Sequence, residues 1–120
     1  MRCGTDIIEV NRVKEAIEKQ GEPFIKRVYT DEEIKYCESR RMCKYESYAA
    51  RFAAKEAVYK AISPSRDEEG VFTEVEVLNE ENGRPYVVVH GELKKVLGDK
   101  KIEISLSHEK KFAMAMAVIE

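Results

Sequence analysis

The stretch RFAAKEAVYKAI, Arg51 to Ile62, decides how the rest of the chain is read. Taken as a helix at about 100° per residue, it lines up Tyr48, Phe52, Tyr59 and Ile62 along one stripe. The opposite face carries Ala54, Ala57 and Ala61 where a surface helix carries charge. A helix that is apolar or small all round is covered on more than one face. Arg51, Lys55, Glu56 and Lys60 therefore sit within or beside packed structure. Lys55 falls inside the stripe, between Phe52 and Tyr59, and a lysine there must snorkel out or meet an anion.

Around this helix, predicted from about Tyr45 to Ile62 and ended by Ser63-Pro64-Ser65, the patterning changes type. Cys3, Thr5 and Ile7 alternate with Gly4, Asp6 and Ile8, which suits a short strand. A helical pattern through Val10, Val13, Ala16 and Ile17 stops at Gly21, with Pro23 as a further break, and Thr30 and Asp31 start a second short helix running to about Arg40. After the long helix the period becomes two. Val71 to Leu78 alternate, Asn82-Gly83 is a hairpin turn, and Pro85 to Val89 form the return strand. A short helix spans Glu92 to Leu97. Ile102, Ile104, Leu106 and His108 then alternate with Glu103, Ser105 and Ser107. In the closing FAMAMAVIE, Phe112, Met114, Met116 and Val118 face one way and Ala113, Ala115, Ala117 and Ile119 the other. A strand apolar on both sides needs cover on both, and few helices remain to supply it. Sheet-to-sheet packing of subunits, hence a homo-oligomer, is expected. The fold class is α+β, one domain over residues 1–120.

Composition excludes some classes. No apolar run approaches the roughly 20 residues that span a bilayer, and MRCGTDIIEV lacks the parts of a signal peptide. A cytoplasmic protein without a membrane partner is expected. Cys3, Cys37 and Cys43 are scattered, without CxxC spacing, and read as free thiols. The net charge of −2 argues against a nucleic-acid partner. An RNA-binding module would also need a basic strand face with exposed aromatics, whereas the sheet here shows glutamates and alanines. Basic residues recur between Asn11 and Lys44, while acids crowd the middle from Asp67 to Glu81. A basic N-terminal face suits an acidic partner, although an ordinary solvated surface looks the same.

The charged residues leave two readings open. Glu56 and Lys60 stand four apart in the favourable order for an intrahelical ion pair. Asp6, three before Glu9, has the spacing of a capping box. Ser107-His108 and Gly83-Arg84-Pro85 suit plain turns. Alternatively, Asp6 and Glu56, from separate elements, with Arg51, Lys55 and Lys60 nearby, would hold a hard divalent ion carrying an anionic ligand. Magnesium is commonly held by one or two protein carboxylates, with substrate phosphates and water completing its shell. That combination points to a phosphate-bearing substrate.

The ordered set GTDIIEVNR (Gly4 to Arg12), RFAAKEAVYKA (Arg51 to Ala61), NGRP (Asn82 to Pro85) and SLSHEKKFAMA (Ser105 to Ala115) resembles the holo-acyl-carrier-protein synthases, the short single-domain 4′-phosphopantetheinyl transferases. The resemblance implies transfer of the phosphopantetheine arm of coenzyme A to a serine of acyl carrier protein, magnesium-dependent, in fatty acid biosynthesis, by a homotrimer with sites between subunits. It implies Asp6 and Glu56 as magnesium ligands, Asp6, Glu56 and Lys60 as the catalytic set with Glu56 the candidate base, and coenzyme A contacts from Arg51, Lys55, Lys60, Gly83, Arg84, Pro85, Ser107 and His108. Arg12, Lys14, Lys19 and Arg27 would dock the carrier protein. The chain departs from the family at Ile62-Ser63-Pro64-Ser65, where a glycine-containing loop is common, and mildly at Phe52. The competing reading is a non-catalytic relative that holds a carrier protein or nucleotide. The joint presence of Asp6, Glu56 and Lys60 speaks against it.

Overall fold

The computed structural model describes residues 1–63 and 71–120. Pro64 and Ser65, and the acidic Asp67, Glu68 and Glu69, lie outside the described residues. The elements run β1 (Arg2–Glu9), α1 (Val10–Gln20), α2 (Glu22–Val28), α3 (Asp31–Ser39), α4 (Lys44–Ile62), β2 (Val75–Asn79), β3 (Pro85–Val89), α5 (Gly91–Leu97), β4 (Ile102–His108) and β5 (Phe112–Ile119). The strands form a three-stranded antiparallel sheet in the order β1-β5-β4 and a separate β2-β3 hairpin.

The fold is organised around α4. Its alanines favour helix, and it ends at Ser63, which turns to extended backbone and donates its N–H to the Tyr59 carbonyl at 2.8 Å. One side joins Ala115, Ala117 and Ile119 of β5, Val75 and Val77 of β2, and Leu93 and Leu97 of α5 in a common core. The other packs Tyr48, Ala49 and Ala50 with Val10, Val13, Val28, Tyr29 and Cys37. The helix is covered on both sides, as its composition requires. Close approach to β1 depends on Gly4: a Cβ there would lie 2.1 Å from the Ala57 carbonyl oxygen and 2.8 Å from the Ala61 nitrogen.

The structure revises several expectations. The alanine face of β5 is filled by the chain's own α4. Its other face stays open, with Phe112, Met114 and Met116 each 44–47% exposed and Ile7 of β1, opposite Met114 in the register, 66% exposed. Pro23 does not break the chain. It lies in the first turn of α2, where a missing N–H costs nothing. The segment before β2 makes a 3₁₀ turn, Phe72–Glu74, and pairing starts only at Val75. Asp6 caps no helix, because β1 continues to Glu9 and α1 begins without a side-chain cap. The predicted start at Thr30 is a full capping box: the Thr30 N–H donates to Glu33 Oε1 at 2.9 Å, and the Glu33 N–H donates to Thr30 Oγ1 at 3.3 Å.

Candidate active site

A groove of about 330 Å³ opens between β1, α1, α2 and α4. Asp6, Glu56 and Arg12 supply its charged lining, and Val13, Ala16, Phe24 and Phe52 its apolar wall. Strand alternation sets one corner. Gly4, Asp6 and Ile8 point toward α4, so Asp6 reaches the helix two residues beyond the place where Gly4 lets strand and helix touch. Lys60, one turn after Glu56, donates from Nζ to the Thr5 carbonyl at 2.9 Å and to Asp6 Oδ1 at 3.1 Å. Its side chain remains 48% exposed and that of Asp6 17%. Two carboxylates distant in sequence thus share one groove, with an accessible ammonium at its edge.

Lys55 is elsewhere. It is fully buried, and its ammonium donates to Glu33 Oε1 at 2.7 Å, to the Phe72 carbonyl at 3.2 Å and to the Val75 carbonyl. Three acceptors match the three donors of an ammonium, so no N–H remains for a phosphate. The expectation that Lys55 contacts a bound ligand is corrected on that ground. Burial lowers its pKa, and the Glu33 carboxylate opposes the fall.

Arg51 is also interior, 3% exposed, with its guanidinium 4.1 Å from the centre of the Tyr36 ring and one Nη donating to Asn79 Oδ1. Asn79 passes the contact on, its Nδ2 donating to the Gly83 carbonyl at 3.0 Å. Arg51 therefore joins Gly83, Arg84 and Pro85 through the hairpin and does not line the groove. Gly83 has φ +91°, which favours glycine at this turn, and Arg84 is exposed, 3.7 Å from Glu103. Ser107 and His108 part company along β4. His108 Nδ1 meets Glu46 Oε1 at 3.0 Å on the α4 side, while Ser107, opposite Met114, belongs to the open face of the sheet.

A family model described as the 4′-phosphopantetheinyl transferase superfamily matches residues 2–117. A holo-[acyl-carrier-protein] synthase of Ruminiclostridium cellulolyticum is 51% identical over 122 residues, covering 99% of this chain and 91% of its own. The chain belongs to the holo-[acyl-carrier-protein] synthase family of 4′-phosphopantetheinyl transferases. Among solved members, the Helicobacter pylori synthase in complex with coenzyme A superposes with a TM-score of 0.85 at 25% identity, covering 98% of this chain and 99% of that one. The Bacillus anthracis synthase, in complex with CoA (3′,5′-ADP), gives 0.79 at 33% identity, covering 98% and 94%.

Basic side chains also recur on α1 and α2. Arg12 and Lys19, seven apart, share a side of α1, and Arg27 of α2 donates to Gln20 Oε1 at 3.1 Å beside the end of α1. Lys14 turns away, 5.5 Å from the centre of the Tyr45 ring, which Lys44 also approaches at 5.2 Å. The sequence reading missed Glu33 and Asn79, the partners of Lys55 and Arg51. Thr30 and Asp31 signalled a helix start, but nothing local signalled that the Glu33 carboxylate reaches α4. The cysteines are free thiols, and burial pushes that of Cys37 up to about 12.

Proposed function

We propose that this chain transfers the 4′-phosphopantetheine arm of coenzyme A to a serine hydroxyl of apo acyl carrier protein, releasing adenosine 3′,5′-bisphosphate, as a magnesium-dependent cytoplasmic enzyme serving fatty acid biosynthesis. The observation that carries the reading is the convergence of Asp6 and Glu56 on one groove with Lys60 beside them. The donor set fits the ion. Two carboxylates give hard oxygens, and among the described residues no group of three or more His, Cys, Asp or Glu forms a closed cage. Magnesium suits such a site because it takes its remaining oxygens from phosphate and water. When bound, it supplies electrostatic stabilisation to the pyrophosphate oxygens.

The chain's own residues supply the rest. The serine oxygen bonds to the phosphorus that bears pantetheine. The bond from that phosphorus to the bridging oxygen breaks, and the electron pair leaves on the adenosine-side phosphate. Lys60 Nζ, held by the Thr5 carbonyl and Asp6, is placed to stabilise the charge developing on the phosphates. The Glu56 carboxylate is the acceptor for the serine proton. Arg12 and Lys19 offer positive charge beside the groove to an acidic carrier, with Arg27 adjacent. Gly83, Arg84 and Pro85, with Arg51 behind them, and Ser107 and His108 lie outside the groove, so their proposed contacts with coenzyme A belong to a site between subunits. The exposed Ile7, Phe112, Met114 and Met116 face supports packing against further copies, here a trimer.

The test is the mass of a purified apo acyl carrier protein after incubation with this protein, coenzyme A and magnesium, with and without chelator. A gain of one phosphopantetheine arm that chelator abolishes is expected. No gain across several carrier proteins would leave a non-catalytic binding protein.

A further inference from the structure

The buried pair Lys55–Glu33 lies next to the proposed ion site in sequence but on another side of α4. Each member is completely buried. Glu33 Oε1 receives Lys55 and the Thr30 N–H, while Oε2 receives the Val77 N–H at 2.9 Å. Lys55 adds the carbonyls of Phe72 and Val75. Two side chains thus tie the first turn of α3, the middle of α4 and the start of β2 into one network. Such a pair is a weak source of stability, since well-packed apolar groups of similar volume often do as well or better. Its presence calls for another role.

The helix it holds presents mostly alanine around Lys55, with Phe52 stacked on Phe72 and Tyr59 donating to the Val71 carbonyl as the larger contacts one turn to either side. Ala49, Ala50, Ala53, Ala54 and Ala57 surround the turns that carry Lys55 and Glu56. Small side chains allow close packing but resist rotation about the helix axis poorly, because they offer no knob to lock into a neighbouring hole. Between Phe52 and Tyr59, the directional hydrogen bonds from Lys55 add resistance on the turn that carries Glu56. Lys55 and Glu56 are adjacent, so a rotation that loosens the first displaces the second, and misplacing a reacting group by about 1 Å can cost a hundredfold.

We propose that Lys55 and Glu33 are positioning residues that fix the rotation of α4 and so aim Glu56 into the groove opposite Asp6. The proposal rests on the reading of Asp6 and Glu56 as divalent-ion ligands. The same network sets the start of β2, whose far end presents Asn79 to Arg51.

The test is the double variant Glu33→Gln/Lys55→Met. It removes both charges together, and a glutamine at this position still serves the capping box. Cooperative unfolding should persist at a lowered melting temperature, because the Val77 N–H and the Phe72 and Val75 carbonyls lose their side-chain partners. Binding of Mn²⁺ in the presence of coenzyme A, followed by the electron paramagnetic resonance of the free ion, should weaken at least tenfold. The magnesium concentration for half-maximal transfer should rise in parallel. A folded double variant that binds Mn²⁺ within twofold of the parent overturns the proposal. If the double variant does not fold, Glu33→Gln alone, which keeps a neutral acceptor for Lys55, is judged by the same criterion. Glu56→Gln separates the two levels. If it binds Mn²⁺ like the parent, the ion-site reading fails and the positioning role with it. If it loses Mn²⁺ while the double variant keeps it, only the positioning role fails.

Discussion

The two charged sides of α4 solve different problems. On one, Lys55 and Arg51 are buried, and Lys55 has every donor matched by an acceptor of the same chain. On the other, Glu56 lines a groove, and Lys60 stands half-exposed beside Asp6. A single helix thus carries cations that hold the fold and cations that can meet a ligand. What separates them is burial and, for Lys55, a set of hydrogen bonds that is already complete, and charge alone does not reveal it.

The sharpest way to break this comparison is on the closed side. Lys55→Met leaves the Glu33 carboxyl group buried and short of its cation, which is expected to cost about 3–5 kcal/mol. Denaturant unfolding measures it. A loss below about 1 kcal/mol would mean that Glu33 finds water or another donor, and the side would not be closed. The open side gives the converse result. Glu56→Gln keeps the size of the side chain, so its melting temperature should stay near that of the parent while transfer to apo acyl carrier protein falls by roughly 10²–10³ or more. Turnover equal to the parent's would remove Glu56 from the chemistry.

These two residues also show how far the sequence could be read. That α4 is long, alanine-rich and covered on two sides was legible, because helical period and composition are local properties. The Asn82-Gly83 hairpin and the Thr30 start were legible for the same reason. That Lys55 must snorkel out or meet an anion was legible too, but which of the two it does, and with what partner, was not. The acids in view were Asp6 and Glu56, whereas the partner is Glu33 of α3. The Gly21-x-Pro23 punctuation ends one helix and begins the next, and composition alone does not distinguish the two. The parting of Ser107 from His108 was already present in the alternation of β4, and grouping them by adjacency overlooked it. The convergence of Asp6 and Glu56 was one of two open readings of the charged residues, and the family resemblance chose between them, since no local pattern joins positions 6 and 56.

A third experiment probes the seam where the groove is anchored. Gly4→Ala places a methyl group against the Ala57 carbonyl and the Ala61 nitrogen, both backbone atoms that cannot swing aside. Overpacking of this kind costs about 1–3 kcal/mol. It should also push β1 from α4 and with it Asp6 from Glu56, raising the magnesium requirement for transfer. Stability lost with an unchanged magnesium requirement would show that the two carboxylates do not depend on this contact for their spacing.

The smallest effect lies at the edge of the closed network, and it is read by pH. Burial alone would raise the pKa of Glu76, but the Thr30 hydroxyl at 2.6 Å, His90 at 3.1 Å and the Lys55 charge prevail and hold it below the ordinary 4.5. Near and below pH 4.5 the unfolded chain therefore binds a proton that the folded chain still refuses. Stability from this group is complete above that pH and drains away as pH falls through the lower folded value. Glu76→Gln removes the titration, so its stability should fall less steeply than the parent's on the acid side, while near neutrality it loses the charge-assisted part of the two contacts. Parallel acid limbs would mean that Glu76 titrates alike in both states and that the network ends at Glu33. A shallower limb in the variant would extend the closed side of α4, through Lys55 and Glu76, to the cap of α3 at Thr30.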